Sequence, residues 1–279
     1  VVSATASAPL RVPGRGADSG LLRLGVVSYL NAHPLVHGLD AEPGVRLERG
    51  VPSLVARRLH AGAVDLGMIP SIEYAFGHYA IVPGIAIGSR GPVRSVFLYL
   101  SRPLEEVRRV ALDTSSRTSA TLLRVLLRER LGRDPQYIPM APQLVDMLAV
   151  ADAALLIGDP ALDQESAVAK LDVGEEWTRQ TGLPFVYAFW AGPPGVVTPA
   201  GVARLRSALA EGLGALPSIA ARHANGAPGR VAAYESYLRD NVVYRLGEEE
   251  IAGLQEFYRR AHALDLAPAL PELSFHADQ

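Results

Sequence analysis

Six consecutive residues, Thr114 to Ser119 (TSSRTS), carry five hydroxyls and one guanidinium. An apolar run, Val110 to Leu112, precedes them. Leucines at helical spacing follow (Leu123, Leu126, Leu127 and Leu131), and Gly132 supplies a C-terminal stop. A strand feeding a helix through such a turn gathers free backbone N–H groups, the positive end of the helix dipole and several O–H donors at one point. That arrangement suits an anion such as a carboxylate. A helix cap explains one of these hydroxyls, Ser116 or Ser119, but not five. Ser28 and Asn31, in SYLNAHP (28–34), follow the apolar strand 22–27 and so fall where open α/β sheets bind ligands.

Other chemistries lack their residues. The chain has no cysteine, which removes disulfides, thiolate nucleophiles and Cys-ligated metals. Lys170 is the only lysine, in an acidic segment, and no GxxxxGK[ST] loop accompanies it, so neither a P-loop nor a Schiff base is expected. His33 and His37 share helical spacing but lack the further ligands zinc needs, so no metal is expected. Asp159, in a Gly-Asp-Pro turn, and Glu73 are the carboxylates best placed to act as a base. A helix cap and a solvated face explain them as well. The net charge of −2 gives no reason to expect nucleic acid or an anionic membrane, and no run is long enough to span a bilayer.

The elements that would position these groups follow from periodicity. With 279 residues, 49% hydrophobic and 20% charged, the chain is globular and long enough for two lobes with cores. Strands at 22–27, 45–48 and 63–70 alternate with helices at 34–38, 52–62 and 71–77, the pattern of a parallel sheet. AVDLGMIPSIEY (63–74) and ADAALLIGDPAL (151–162) share one form, a weak internal repeat that predicts two similar lobes. Segments 93–103 and 185–194 are expected to cross between the lobes as a hinge, with the ligand in the cleft. The expected division is 21–97 with 192–279 for lobe one and 98–191 for lobe two. Beyond Thr198-Pro199, a cap with proline at the first helical position, the chain reads as helical, with Tyr234, Tyr237 and Leu238 on a core face. Residues 1–20, small, polar and rich in Pro and Gly, read as a flexible tail without an intact signal peptide.

SYLNAHP (28–34), GAVDLGMIPSIEY (62–74), GPVRS (91–95), TSSRTS (114–119) and ADAALLIGDPAL (151–162) together resemble the menaquinone-biosynthesis family of the futalosine route, and within it the chorismate dehydratases. The resemblance covers about residues 22–195 motif by motif. It implies an α/β, two-lobed type II periplasmic-binding-protein-like fold and a cytoplasmic carbon–oxygen lyase without metal or organic cofactor. The implied reaction turns the dianion chorismate into 3-[(1-carboxyvinyl)oxy]benzoate and water. Asn31 and Ser95 match the positions the family assigns to the reacting centre. The remaining candidate substrate contacts are Ser28, Tyr29, Ser71, Thr114, Ser115, Ser116, Thr118, Ser119 and Asp159. Because no Glu or His sits within the motifs as an obvious base, the enolpyruvyl carboxylate of the substrate is expected to take the proton. A sibling enzyme cleaving cyclic dehypoxanthine futalosine is less similar at SYLN. A small-anion solute-binding protein of a transporter would explain the lobes equally well, since fold does not fix function. It would need a signal or lipid anchor, and none is visible. The residues leave the oligomeric state open, a homodimer included.

Overall fold

The structure, a computed structural model, describes residues 21–277; the expected tail 1–20 lies outside them. In chain order the strands are β1 (Leu22–Val27), β2 (Val45–Gly50), β3 (Leu66–Pro70), β4 (Ala80–Ile81), β5 (Ile87–Ser89), β6 (Val96–Leu100), β7 (Arg109–Asp113), β8 (Gln136–Met140), β9 (Ala153–Ile157), β10 (Ala169–Asp172) and β11 (Phe185–Gly192). The α-helices are α1 (Pro52–His60), α2 (Arg117–Leu131), α3 (Leu144–Val150), α4 (Asp159–Leu162), α5 (Val173–Thr181), α6 (Pro199–Gly214), α7 (Leu216–Ala224), α8 (Val231–Ser236) and α9 (Glu248–Ala263).

Two sheets form, and they repeat one plan. The first runs β2-β1-β3-β11-β4, with β5 also on β11; the second runs β10-β6-β9-β7-β8. In each, two parallel pairings (β2-β1-β3 and β8-β7-β9) are followed by an antiparallel strand, β11 or β6. The related segments 63–74 and 151–162 supply the equivalent strands β3 and β9. Both strands are buried on both faces, which is why they read as unbroken apolar runs rather than alternating ones.

The expected crossing strands end early. β6 starts only at Val96 and lies wholly in the second sheet, while β11 pairs only within the first. The break before β6 has a local cause: Arg94 takes a left-handed φ of 60°, and the Asp172 carboxylate accepts the N–H groups of Val93 and Arg94 at 3.1 and 2.7 Å. The same carboxylate caps α5 through Gly174 and Glu175. Segment 91–95 is thus a pinned connection instead of a strand.

Packing joins the lobes. The α5 residue Trp177 is fully buried, meeting Phe185 and Phe257 edge-on at centroid distances of 5.3 and 6.4 Å. Leu254, Phe257, Tyr258 and Ala261 are buried along one face of α9. Each large side chain so buried contributes about 1.5–3 kcal/mol. Among the described residues no helix is long and apolar enough to cross a membrane.

Candidate functional site

Between the sheets lies a narrow cavity of about 50 Å³. Its walls are mostly apolar: Val27, Pro52, Pro70 and Ile87 on the first lobe's side, Val96 and Ile157 on the second's. Polar groups are few and neutral: Tyr29, Asn31, Ser95, Ser116, Ser119 and Tyr187. No Asp, Glu, His, Lys or Arg is among the fifteen described residues that line it.

Asn31 sits one residue into a 3-10 helix, Leu30–Val36, that starts earlier than the expected 34–38. The Ala32 N–H to Tyr29 carbonyl bond closes its first turn, which tolerates Pro34. The Oδ1 of Asn31 is buried without a partner, an acceptor left open beside the cavity. Tyr29 lies over Gly158, whose φ of 66° and ψ of −147° are open essentially to glycine alone. A Cβ there would come within 2.5 Å of the Tyr29 ring, so Gly158 is the floor on which Tyr29 rests. Burial pushes the Tyr29 phenol up to about 12 and keeps it a donor. Ser95 is 1% exposed; its carbonyl accepts from the Gly158 N–H at 2.8 Å, and its Oγ accepts from the Tyr237 hydroxyl at 2.9 Å.

The hydroxyl turn divides its labour. Ser116 caps α2, its Oγ accepting the Ser119 N–H at 3.2 Å and donating to the Ser119 Oγ at 3.1 Å. Both serines line the cavity at the positive end of this 15-residue helix. Ser115 donates its hydroxyl to buried Asp113 at 2.6 Å, which also accepts the Ser115 and Ile157 N–H groups; burial raises this carboxyl's pKa. Thr118 accepts the Ile72 N–H at 3.1 Å, tying α2 to the first lobe. Thr114 and Ser115 line a separate outer depression with Arg57 and Arg117.

The other candidates stand outside the cavity. Ser28 borders a second outer depression beside His33, Arg49 and His223. Ser71 donates to the Val186 carbonyl at 2.8 Å. Asp159, set behind Gly158, accepts the Leu30 N–H at 2.9 Å; burial raises its pKa, and His223 Nε2 stands 3.5 Å from its other oxygen. Glu73 is no solvated face, being 1% exposed, with Arg117 and His60 each 2.8 Å from its carboxylate. Its first-turn position concealed this, because both partners arrive from elsewhere in the chain.

Two tyrosines were not singled out for the site. Tyr187 is on β11, and burial drives its phenol well above its ordinary range. Tyr237 was read as core; the chain after α8 widens into a π turn over Tyr237–Asn241 and buries that side chain against Ser95. The only sequence signal for Tyr187 was its place within an apolar strand.

A family model described as menaquinone biosynthesis matches residues 22–263. A chorismate dehydratase of Thermus thermophilus is 34% identical over 269 residues, covering 88% of this chain and 96% of that protein. One from Campylobacter jejuni is 29% identical over 163 residues, covering 57% of this chain and 58% of that protein. In fold, the chain is similar to the periplasmic aliphatic sulphonate binding protein SsuA from Escherichia coli, with TM-score 0.64 and 17% identity over 93% of this chain and 94% of that one. An ABC transporter structure from Parabacteroides distasonis also gives 0.64, at 18% identity over 94% and 100%. The fold is therefore that of the periplasmic binding proteins, and by the family match and the Thermus relative the chain belongs to the menaquinone biosynthesis family.

Proposed function

We propose that this protein is a chorismate dehydratase, a carbon–oxygen lyase that converts chorismate to 3-[(1-carboxyvinyl)oxy]benzoate and water. The observation that carries the mechanism is the lining of the cavity: neutral donors on apolar walls, with no carboxylate or imidazole among the described lining residues. Such a site orients a dianion without offering it a base. In the reaction the C3–H bond breaks and its proton passes to the enolpyruvyl carboxylate of the substrate. The electron pair moves into the ring toward the C1 carboxylate, then forms C3=C4 as the C4–O bond breaks. The departing hydroxide takes the proton back as water, and the ring is aromatic.

The protein's part is orientation and charge stabilisation, which together can supply many orders of magnitude in rate. Ser116, Ser119 and the N-terminus of α2 would hold one carboxylate. Asn31 and Ser95 would stand at the reacting carbons, Asn31 turning its amide donors to the charge that develops. Apolar walls strengthen each of these contacts by excluding water. The same reading puts the protein in the cytoplasm.

Incubating the purified chain with chorismate and following the aromatic product tests the reading. Turnover is expected; stoichiometric binding without product would instead favour a solute-binding role.

A further inference from the structure

We infer that Tyr237 is a positioning residue for the elimination, acting through Ser95; the inference rests on the dehydratase reading above. The C-terminal segment carrying it holds the connection 91–95 at two points. Asn241 donates its amide to the Pro92 carbonyl at 2.9 Å, and Tyr237 donates its hydroxyl to the Ser95 Oγ at 2.9 Å. With Asp172 gripping Val93 and Arg94 and Thr178 accepting the Gly91 N–H, polar contacts reach all five residues in this connection.

The direction of the Tyr237 bond matters. A serine hydroxyl has one hydrogen to donate, and its rotor settles toward whichever neighbours satisfy it. When a phenol donates to its oxygen, that hydrogen must turn elsewhere. The Ser95 side chain borders the cavity, where the unpaired Oδ1 of Asn31 also lies. Tyr237 thus leaves the Ser95 hydrogen free to turn toward a substrate in the cavity. Its own role is permanent: the side chain is 1% exposed, and burial raises the phenol far above its ordinary value, so it remains protonated.

The backbone is shaped to this end. A π turn is rare and tends to occur at functional sites, and here it occupies Tyr237–Asn241, the segment whose two end residues make these contacts. A continued α-helix would carry Tyr237 and Asn241 on one face a full turn apart, without the widening that separates their reach.

The test uses Tyr237→Phe, which keeps the ring and removes the donor. The parent must first convert chorismate; if it does not, the dehydratase reading fails and not this one alone. With an active parent, Tyr237→Phe is expected to lower kcat about 10- to 100-fold while KM and Tm change little. The same replacement in a Ser95→Ala background, measured with enzyme in excess over chorismate, is expected to change the rate by less than threefold. An unchanged kcat in Tyr237→Phe would overturn the proposal. So would a loss confined to KM or matched by a fall in Tm, or an equal loss in both backgrounds, each of which would make Tyr237 independent of Ser95 or merely structural.

Discussion

The Asp159 carboxylate of the second lobe accepts the backbone N–H of Leu30 in the first at 2.9 Å. This bond seats the helix Leu30–Val36, and with it Asn31, against the far wall of the cleft. It also gives a buried carboxylate a partner and an explanation other than proton transfer. Asp159→Asn keeps an acceptor and should hold kcat within about threefold, since a general base would cost on the order of 10²–10⁴. Asp159→Ala removes the acceptor and should raise KM roughly tenfold, the scale of a charge-assisted hydrogen bond discounted for partial exposure. Steady-state kinetics of both variants decides between closure and catalysis.

Gly158 should be irreplaceable. Alanine would meet the Tyr29 ring and would have to hold a backbone conformation costing on the order of 1–3 kcal/mol. Gly158→Ala is expected to lower kcat/KM by at least tenfold, with a modest fall in Tm. A variant with parental kinetics would show that Tyr29 does not need its present seat.

The three buried hydroxyls at the start of α2 should separate by phenotype. Ser119→Ala is expected to raise KM about tenfold or more with kcat retained, as loss of a bond to a charged group would. Ser116→Ala should in addition cost about 1 kcal/mol of stability as a lost cap. Thr118→Ala should act through the Ile72 N–H, weakening lobe closure rather than contact with the ligand. Paired KM and Tm measurements distinguish these outcomes.

Glu73 gives a sharper test of the base. Glu73→Gln should lower Tm, because Arg117 and His60 lose a charged partner, yet leave single-turnover dehydration within a few-fold of the parent. A fall of 10² or more with folding and affinity retained would restore a protein base and end the substrate-assisted mechanism.

The pH profile should be flat where a protein base would bend it. The cavity phenols Tyr29, pushed up to about 12, and Tyr187, raised further by burial, stay protonated through pH 10. Log kcat is therefore expected to be level from about pH 6 to 10, with any acid limb reporting the substrate's own carboxylate near the ordinary range of about 4. A basic limb near pH 9–10 would mean a titrating group at the reacting centre.

Stability carries its own sign. Hydrogen bonds from Arg259 and then Arg260 hold Glu256 down to about 2, against an ordinary value of 4.5. Its contribution is present above 4.5 and lost as pH falls through about 2. Discounted for solvent screening it amounts to about 1 kcal/mol, or roughly 2–4 °C. Glu256→Gln should lower Tm by that much at pH 7 and by little at pH 2, as thermal melts would show.

The sequence by itself determined the features that depend on neighbours along the chain. Apolar runs marked β1, β3, β7 and β9; the repeated segments 63–74 and 151–162 announced two sheets of one plan; Gly132 marked the end of α2 and Ser116 or Ser119 its start, which the structure gives to Ser116. It also brought Tyr29, Asn31, Ser95, Ser116 and Ser119 forward as candidates, and these share one cavity. Only the tertiary structure decided which candidates face it. Ser28, Ser71, Thr118 and Asp159 have the same polar character, but their partners (for Thr118 the Ile72 N–H, for Asp159 that of Leu30) lie 46 and 129 residues away. The bend at Arg94 likewise needs Asp172, 78 residues on, and the tie from Tyr237 to Ser95 spans 142. Local spacing encodes hydrogen-bonding capacity and periodicity. Whether a donor is spent on the protein or left for a ligand depends on atoms that folding brings together.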